Sequence, residues 1–400
     1  MMMQELFRPE EMGGVSLEEV IEAYYDCRRR KRTTMNALEF ELDYEHECIE
    51  LWRELNERRY EPRRSIAFIV ERPVKREIFA ADFRDRVVHH LIYRRVMPLL
   101  EKQFLVDSYA TQKDKGTLFG IQRVEQHIRE CSENYTTDCY IMKLDISGYF
   151  MSISKQLLYD CIDHFLSEHY PHKEQLPMLM YMLKCTIFNR PEKNCIRKVP
   201  RARWQGLPLN KSLFHTNGKK GLPIGNLTSQ MLALLFLDEL DHKITEEWGV
   251  EHYGRYVDDM VLVHSSAMHL LDVRQKIIAW LTGKGLRLHP KKMYLQHYTK
   301  GVMFVGGMIK PGRKYISKRT VGRLFAKIRY YNALLALSGN LDKHELDEMV
   351  ACMNSYLGMM RHYQSDRIFR RMMRRIEPTW YRYTYISKRG SQVKLVPKAA

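Results

Sequence analysis

Two apolar stretches of this chain carry carboxylates at their ends. "RYVDDMVLVH" (255–264) sets Asp258 and Asp259 side by side among β-branched and aliphatic residues, and "IMKLD" (141–145) ends on Asp145. A buried, unpaired carboxylate costs on the order of several kcal/mol, so such groups need protons, basic partners or metal. Three converging carboxylates in a basic protein point to a pair of magnesium ions, because hard cations take oxygen ligands. Paired metals about 4 Å apart suit in-line phosphoryl transfer, one activating the attacking hydroxyl and the other steadying the leaving oxygens. Polymerases and many nucleases share this device, and spacing alone does not separate them.

The elements that must position these groups can be read coarsely. Ser16-Leu-Glu-Glu19 is a capping box that opens a helix running into "RRRKR" (28–32). A second helical pattern covers 37–58, with Leu38, Leu42, Leu51 and Leu55 on one side. "SIAFIV" (65–70) reads as a strand, and "REIFAADFRDRVVHHLIYRRVMPLL" passes from extended chain into a helix near Arg84. "CYIMKLDI" (139–146) is strand-like; 187–220 is polar and reads as a long loop or hairpin. A helix should start near Leu227 and continue through "MLALLFLDELD". "HYGRYVDDMVLVH" then makes a hairpin with its turn at the aspartates, a helix fills 267–284, and "VMFVGGMIKPG" (302–312) is a short hairpin. Three helical patterns follow, at 317–338, 341–360 and 364–376. The mixture predicts an α+β fold.

Charge narrows the class of partner. The net charge is +17 in 400 residues, and residues 301–400 hold 20 lysines and arginines against 6 acidic residues. A folded chain with a basic C-terminal quarter suggests a polyanion, most simply nucleic acid, over a face that merely aids solubility. The eight cysteines form no CxxC pair and no zinc-like Cys/His spacing, which reads as core thiols in a reducing compartment. The start lacks a signal-peptide layout, and the longest apolar stretch, 231–237, is too short for a bilayer. A cytoplasmic protein with no membrane association is expected.

Six stretches in order resemble the reverse transcriptases: "REIFAADFRDRVVHHLI" their fingers motif, "KLDISGYFMSI" the first catalytic motif, and "GLPIGNLTSQ" the glycine-containing motif before the palm helix. "YVDD" resembles the active-site tetrad, "GLRLHPKKM" the lysine-bearing turn and "FVGG" the primer grip. Most of the family carries Gln-Gly and then Ser-Pro where this chain has Ile224-Gly225 and Ser229-Gln230. "IGNLTSQ", with "ALEFE" (37–41) and "FRDRVVHH" (83–90), is similar to the enzymes of diversity-generating retroelements, within the group II intron and retron-like bacterial or phage enzymes. Nothing points to maturase or endonuclease domains. Retron and abortive-infection enzymes are the alternative relatives.

The resemblance implies roles. Asp145, Asp258 and Asp259, with the carbonyl of Ile146, would hold two Mg2+ ions, or Mn2+ in their place. Arg76 would grip the triphosphate, and Ser147, Gly148, Tyr149 and Phe150 would offer it backbone N–H groups. The Phe150 ring would block a ribose 2′-hydroxyl. Ile224 and Gly225 would lie at the nascent pair. Lys292, or Lys291 beside it, would protonate the departing pyrophosphate. In "RRMMRR", helical spacing turns Met372 and Met373 to a core while Arg370, Arg371, Arg374 and Arg375 reach outward, as suits a thumb riding on a duplex backbone. "RRRKR" would hold template RNA or be a solvated helix end.

The implied fold is a right-hand polymerase. Residues 1–105 would be N-terminal helices and fingers, 106–312 the palm with an insertion at about 155–220, and 313–400 a basic helical thumb. The expected activity is cDNA synthesis on a structured template RNA, error-prone at adenines and serving mutagenic retrohoming. Partners would be template-repeat RNA, the RNA/DNA hybrid, dNTPs and a small basic oligomeric accessory protein. A non-catalytic RNA-binding scaffold and a two-metal nuclease are the readings from other classes.

Overall fold

The computed structural model describes residues 13–29, 34–72, 74–338, 341–387 and 392–396. Arg30, Lys31 and Arg32 of "RRRKR" lie outside them. The first helices are α1 (Leu17–Arg28), α2 (Met35–Leu42), α3 (Tyr44–Asn56), α4 (Phe83–Gln103), α5 (Thr117–Cys131), α6 (Tyr149–Ser152) and α7 (Lys155–His169). Then come α8 (Leu176–Phe188), α9 (Leu227–Leu235), α10 (Asp238–His242), α11 (Ala267–Gly283), α12 (Lys318–Ser338), α13 (Lys343–Met360) and α14 (Asp366–Met373). The strands are β1 (Ser65–Val70), β2 (Arg76–Ala80), β3 (Tyr140–Asp145), β4 (Cys195–Arg197), β5 (His252–Tyr256) and β6 (Asp259–His264). They continue with β7 (Tyr294–His297), β8 (Val302–Phe304), β9 (Gly307–Lys310), β10 (Arg313–Ile316), β11 (Thr384–Ile386) and β12 (Val393–Leu395). The α+β class expected from the sequence is what the chain adopts. Among the described residues no helix is long and apolar enough to cross a membrane.

The chain divides into two compact units. The first comprises Met1–Asp114, Leu144–Glu251 and Leu271–Met293. Its α1 starts at the expected capping box: Ser16 Oγ accepts from Glu19 N, and Glu19 Oε2 accepts from Ser16 N, each at 3.0 Å. The single helix expected over 37–58 is broken at Asp43, whose φ of −139° and ψ of 42° leave the helical region. The break ends the common stripe. Leu51 and Leu55 are buried, whereas Leu38 and Leu42 are exposed and α2 instead buries Ala37 and Phe40. Helix α4 buries Val87, Val88, Leu91 and Ile92 and takes its N-cap from Asp82. Its first turn also buries charge: Arg84 pairs with Glu54, and Asp85 accepts from Tyr60 Oη and Arg63 N, both at 2.9 Å. Burial pushes the Asp85 carboxyl up to about 6.

In the same unit β1 pairs antiparallel with β2, Phe68 opposite Ile78, and parallel with β4. The segment 187–220 is thus no hairpin; it gives one short strand to this sheet and otherwise turns tightly. The helix expected through 241 is interrupted. α9 stops at Leu235, α10 follows, and a wide π-type turn closes on Trp248 N donating to the Lys243 carbonyl at 2.8 Å.

The second unit comprises Lys115–Lys143, His252–Leu270 and Tyr294–Ala400. Strands β5, β6, β3 and β7 form a four-stranded sheet in that order. β8, β9 and β10 form an antiparallel sheet, with the turn of "FVGG" at Val305 and Gly306, both at positive φ. A Cβ on Gly307 would lie 2.7 Å from Ile121 Cδ1, so α5 packs where a side chain would stand. Helices α12, α13 and α14 close on Ile328, Met349, Met353, Met372 and Trp380. Trp380 Nε1 donates to Asn332 Oδ1 at 2.7 Å.

Candidate active site

In the second unit, the β5/β6 hairpin pairs Tyr256 with Asp259 and Arg255 with Met260, leaving Val257 and Asp258 as a two-residue turn. The turn includes Asp258, at the aspartates where it was expected. Val257 has φ of 58°, a conformation that costs a β-branched residue ~1–3 kcal/mol. Arg255 is fully buried and one of its Nη atoms donates to the Val257 carbonyl at 3.0 Å, so a guanidinium supports the strained turn from beneath. Asp258 and Asp259 are half-buried. Asp259 Oδ1 stands 3.1 Å from Lys143 Nζ on β3. Lys143 precedes Asp145 by two, and strand alternation puts both on one face; that alternation was the available signal for this partner.

In the first unit, Asp145 is buried and both its carboxylate oxygens accept from Lys292 Nζ, at 3.0 and 2.8 Å. The turn carrying Lys292 is laced to the residues after β3. His289 N donates to the Asp145 carbonyl at 2.7 Å, Ser147 N to the Arg287 carbonyl at 2.8 Å, and Ile146 bridges Leu288. Between the two adjacent lysines, the one against the carboxylate is Lys292. The Ser147 amide is spent on Arg287 and so is not an open donor. Gly148 has φ of 56°, and a Cβ there would meet the Asn210 carbonyl at 2.5 Å, so glycine is required. Met151 and Ser152 donate the first intrahelical bonds, both to the Gly148 carbonyl. The Tyr149 side chain is buried and its hydroxyl donates to the Ala233 carbonyl; it is a core residue.

Phe150 and Ile224 are partly buried against one apolar cluster of Ala67, Phe79, Met151 and Leu213. Phe79 N donates to the Ile224 carbonyl at 3.0 Å, and a Cβ on Gly225 would lie 2.8 Å from Ile78 Cγ2, so the "PIGN" turn lies directly on β2. Arg76 begins that strand, exposed, on the same face as Ile78. Lys75 donates to the Gln205 carbonyl at 2.6 Å. Glu77, fully buried, accepts from Trp204 Nε1, Ser212 Oγ and Leu213 N at 2.7, 2.7 and 2.6 Å. It ties the 200–213 turns to β2, and no sequence signal marks it, because spacing does not say that an acidic residue is inside.

α14 stops at Met373, short of the 376 expected; on it Met372 is buried, Met373 partly so and Arg370 and Arg371 exposed, while Arg374 and Arg375 are exposed in the turn that follows. Two of the four are not simply outward. The guanidinium carbons of Arg371 and Arg375 lie 4.9 and 4.7 Å from the ring centre of Phe325.

Carboxylate oxygens are the donors a hard divalent cation takes, and Asp145 and Asp259 each stand against a lysine ammonium. The donor set fits magnesium.

Residues 75–309 match the family described as "Reverse transcriptase (RNA-dependent DNA polymerase)". No curated protein matches the chain. Solved structures to which the chain is similar include apo telomerase from Candida tropicalis, truncated from its C-terminal domain. It is 14% identical, with 63% of this chain and 55% of that chain covered and a TM-score of 0.43. Another is telomerase from Candida albicans with a fragment of telomeric RNA, 13% identical, covering 78% and 55%, with a TM-score of 0.42. The match thus spans 55% of the length of each.

Proposed function

The chain belongs to the reverse transcriptase (RNA-dependent DNA polymerase) family, and from that premise we propose that it extends a 3′-hydroxyl with deoxynucleotides on an RNA template. The observation that carries this is the β5/β6 hairpin, which sets Asp258 and Asp259 at a two-residue turn with Lys143 Nζ 3.1 Å from Asp259 Oδ1. Asp145, Asp258, Asp259 and the Ile146 carbonyl would hold two Mg2+ or Mn2+ ions, whose chemistry is to activate the hydroxyl and steady the leaving oxygens. The residues of the chain do the rest. Lys143 and Lys292 offset carboxylate repulsion, and Lys292, with its side chain 51% exposed, can turn from Asp145 to give a proton to pyrophosphate. Arg76 offers a planar fork to the triphosphate. Phe150 stands against a ribose 2′-hydroxyl, and its shared cluster with Ile224 supports a single wall for sugar and base.

In this reading residues 1–105 are fingers, 106–312 palm and 313–400 thumb, with arginines of α14 on the backbone of the RNA/DNA hybrid. The finer assignment is to the diversity-generating retroelements of bacteria or phage. The enzyme would copy a template-repeat RNA, aided by a small basic oligomeric protein, and misread adenines. Ile224 supports it, because an apolar side chain gives the nascent pair no hydrogen bond.

Primer extension on an RNA template with magnesium tests the activity. Asp258→Asn should abolish nucleotide addition while leaving RNA binding within about twofold, since it removes a ligand and no phosphate contact. Full extension by that variant would overturn the assignment. Sequencing the cDNA tests the branch: errors spread evenly over the four template bases would exclude it.

A further inference from the structure

A second cluster of ligand atoms lies in the second unit, on different chemistry. His127 and Glu130 are three apart on α5 and share a helix face. His252 begins β5, against which α5 packs. His127 is buried, His252 half-buried and Glu130 exposed. The two Nδ1 atoms are 3.4 Å apart, Glu130 Oε2 is 3.8 Å from His252 Nδ1, and all three ligand atoms lie within 4.8 Å of one another. Two imidazoles on a tetrahedral zinc, with Zn–N of about 2.0–2.1 Å, have their nitrogens about 3.3 Å apart. With one ring protonated at Nδ1 the same pair makes a long N–H···N hydrogen bond, which a metal would replace. The rings are inclined by 53°, so both nitrogens can face one point. Glu130 Oε1 accepts from Gln126 Nε2 at 2.7 Å, an outer contact of the kind that orients a ligating carboxylate.

We infer that His127, Glu130 and His252 form a site for a borderline divalent metal, Zn2+ by its donor set, with the fourth position open to solvent. Two imidazoles and one carboxylate suit zinc and not magnesium, which takes oxygen ligands and dehydrates reluctantly. The site is separate from the aspartate turn. His252 pairs with Val263 while Tyr256 pairs with Asp259, so His252 stands four residues up the strand, about 13 Å at ~3.3 Å per residue. A metal there clamps α5 to the far end of the hairpin that carries Asp258. Its work is to fix the hairpin, and it takes no part in nucleotide transfer.

The test uses the full chain, stripped of metal and returned to excess Mg2+ so that the carboxylates are supplied. Zn2+ is titrated against a chromophoric chelator, and the melting temperature is read with and without it. One Zn2+ per chain should bind and raise the melting temperature by several degrees. Glu130→Gln and His252→Asn should each weaken binding by at least about tenfold and remove the shift. Asp258→Asn should retain both. Glu130 is exposed, so its variant keeps the fold, and Co2+ in place of Zn2+ gives a visible band that should change in Glu130→Gln. Absence of Zn2+ binding in excess Mg2+ would overturn the site. So would unchanged affinity in both ligand variants, or loss of binding in Asp258→Asn.

Discussion

Ile224 and Phe150 rest on the same four buried residues, so a change at one should be felt at the other. Glutamine at 224 would bring an amide to a place where isoleucine can neither donate nor accept. A gained hydrogen bond is worth about 0.5–1.5 kcal/mol, up to roughly tenfold in discrimination. An A·T pair has the fewest Watson–Crick bonds and should benefit most. Ile224→Gln is therefore expected to lower misincorporation opposite template adenine more than opposite the other bases, and Phe150→Val to admit ribonucleotides. Because both side chains pack against that one cluster, the double variant should depart from the product of the single effects. Sequenced cDNA and dNTP/rNTP competition read all three, and unchanged error spectra would show Ile224 to be packing alone. At this scale the sequence names chemistry better than partners. "HPKK" does not say which lysine meets Asp145, whereas the lacing of 287–289 to 145–147 turns Lys292 inward. Lys143 was legible in principle from strand alternation, and Arg255 and Glu77 were not.

At the scale of elements, the hairpin was legible because two β-branched and aliphatic runs flank a pair of aspartates, residues that favour turns, although its strands are buried on both faces and show no alternation. The helix over 227–241 and the helix over 37–58 were each read as continuous, since an apolar pattern runs across Phe236–Leu237 and Asp43 without a glycine or proline to mark the break. Buried charge within elements is the other silent feature. Lys155 opens α7 almost fully buried, its ammonium donating to the Asn189 carbonyl at 2.6 Å, and burial pushes it down to about 8. In the unfolded chain it titrates near ~10.4. Below pH 8 both states carry the proton and the desolvation cost is constant. Between about pH 8 and ~10.4 the unfolded state binds more protons, so the folded state gains stability as pH rises. Other groups titrate in that window, and the readout is therefore a difference. Urea denaturation at a series of pH values should show wild type gaining on Lys155→Met from pH 8 to 10, with no relative change from pH 6 to 7. A flat difference throughout would place Lys155 in contact with water.

Over the whole molecule, the basic excess of residues 301–400 falls on the unit that also carries the aspartate hairpin. The four arginines at 370, 371, 374 and 375, two on α14 and two just past its end, are equivalent in the sequence and unequal in the structure. Arg371 on α14 and Arg375 in the turn after it lie over Phe325 and so join this end of the chain to α12, and no such ring contact holds Arg370 or Arg374 among the described residues. Cation–π contacts of this kind contribute roughly 0.5–1 kcal/mol each at exposed sites. Phosphate contacts contribute differently, through counterion release, at about 0.9 in the slope of log K against log salt for each phosphate neutralised. The two pairs should therefore separate in two measurements. Arg370→Ala with Arg374→Ala is expected to weaken binding to an RNA/DNA hybrid equally for all sequences and to lower the salt slope by up to ~1.8, with the melting temperature nearly unchanged. Arg371→Ala with Arg375→Ala is expected to lower the melting temperature by the loss of about 1–2 kcal/mol. Each can still reach a phosphate from its place over the ring, so that pair lowers the slope as well. An unchanged slope in the first pair would remove Arg370 and Arg374 from the nucleic-acid interface and leave their charge solvated. An unchanged melting temperature in the second would mean that the Phe325 contacts hold nothing together.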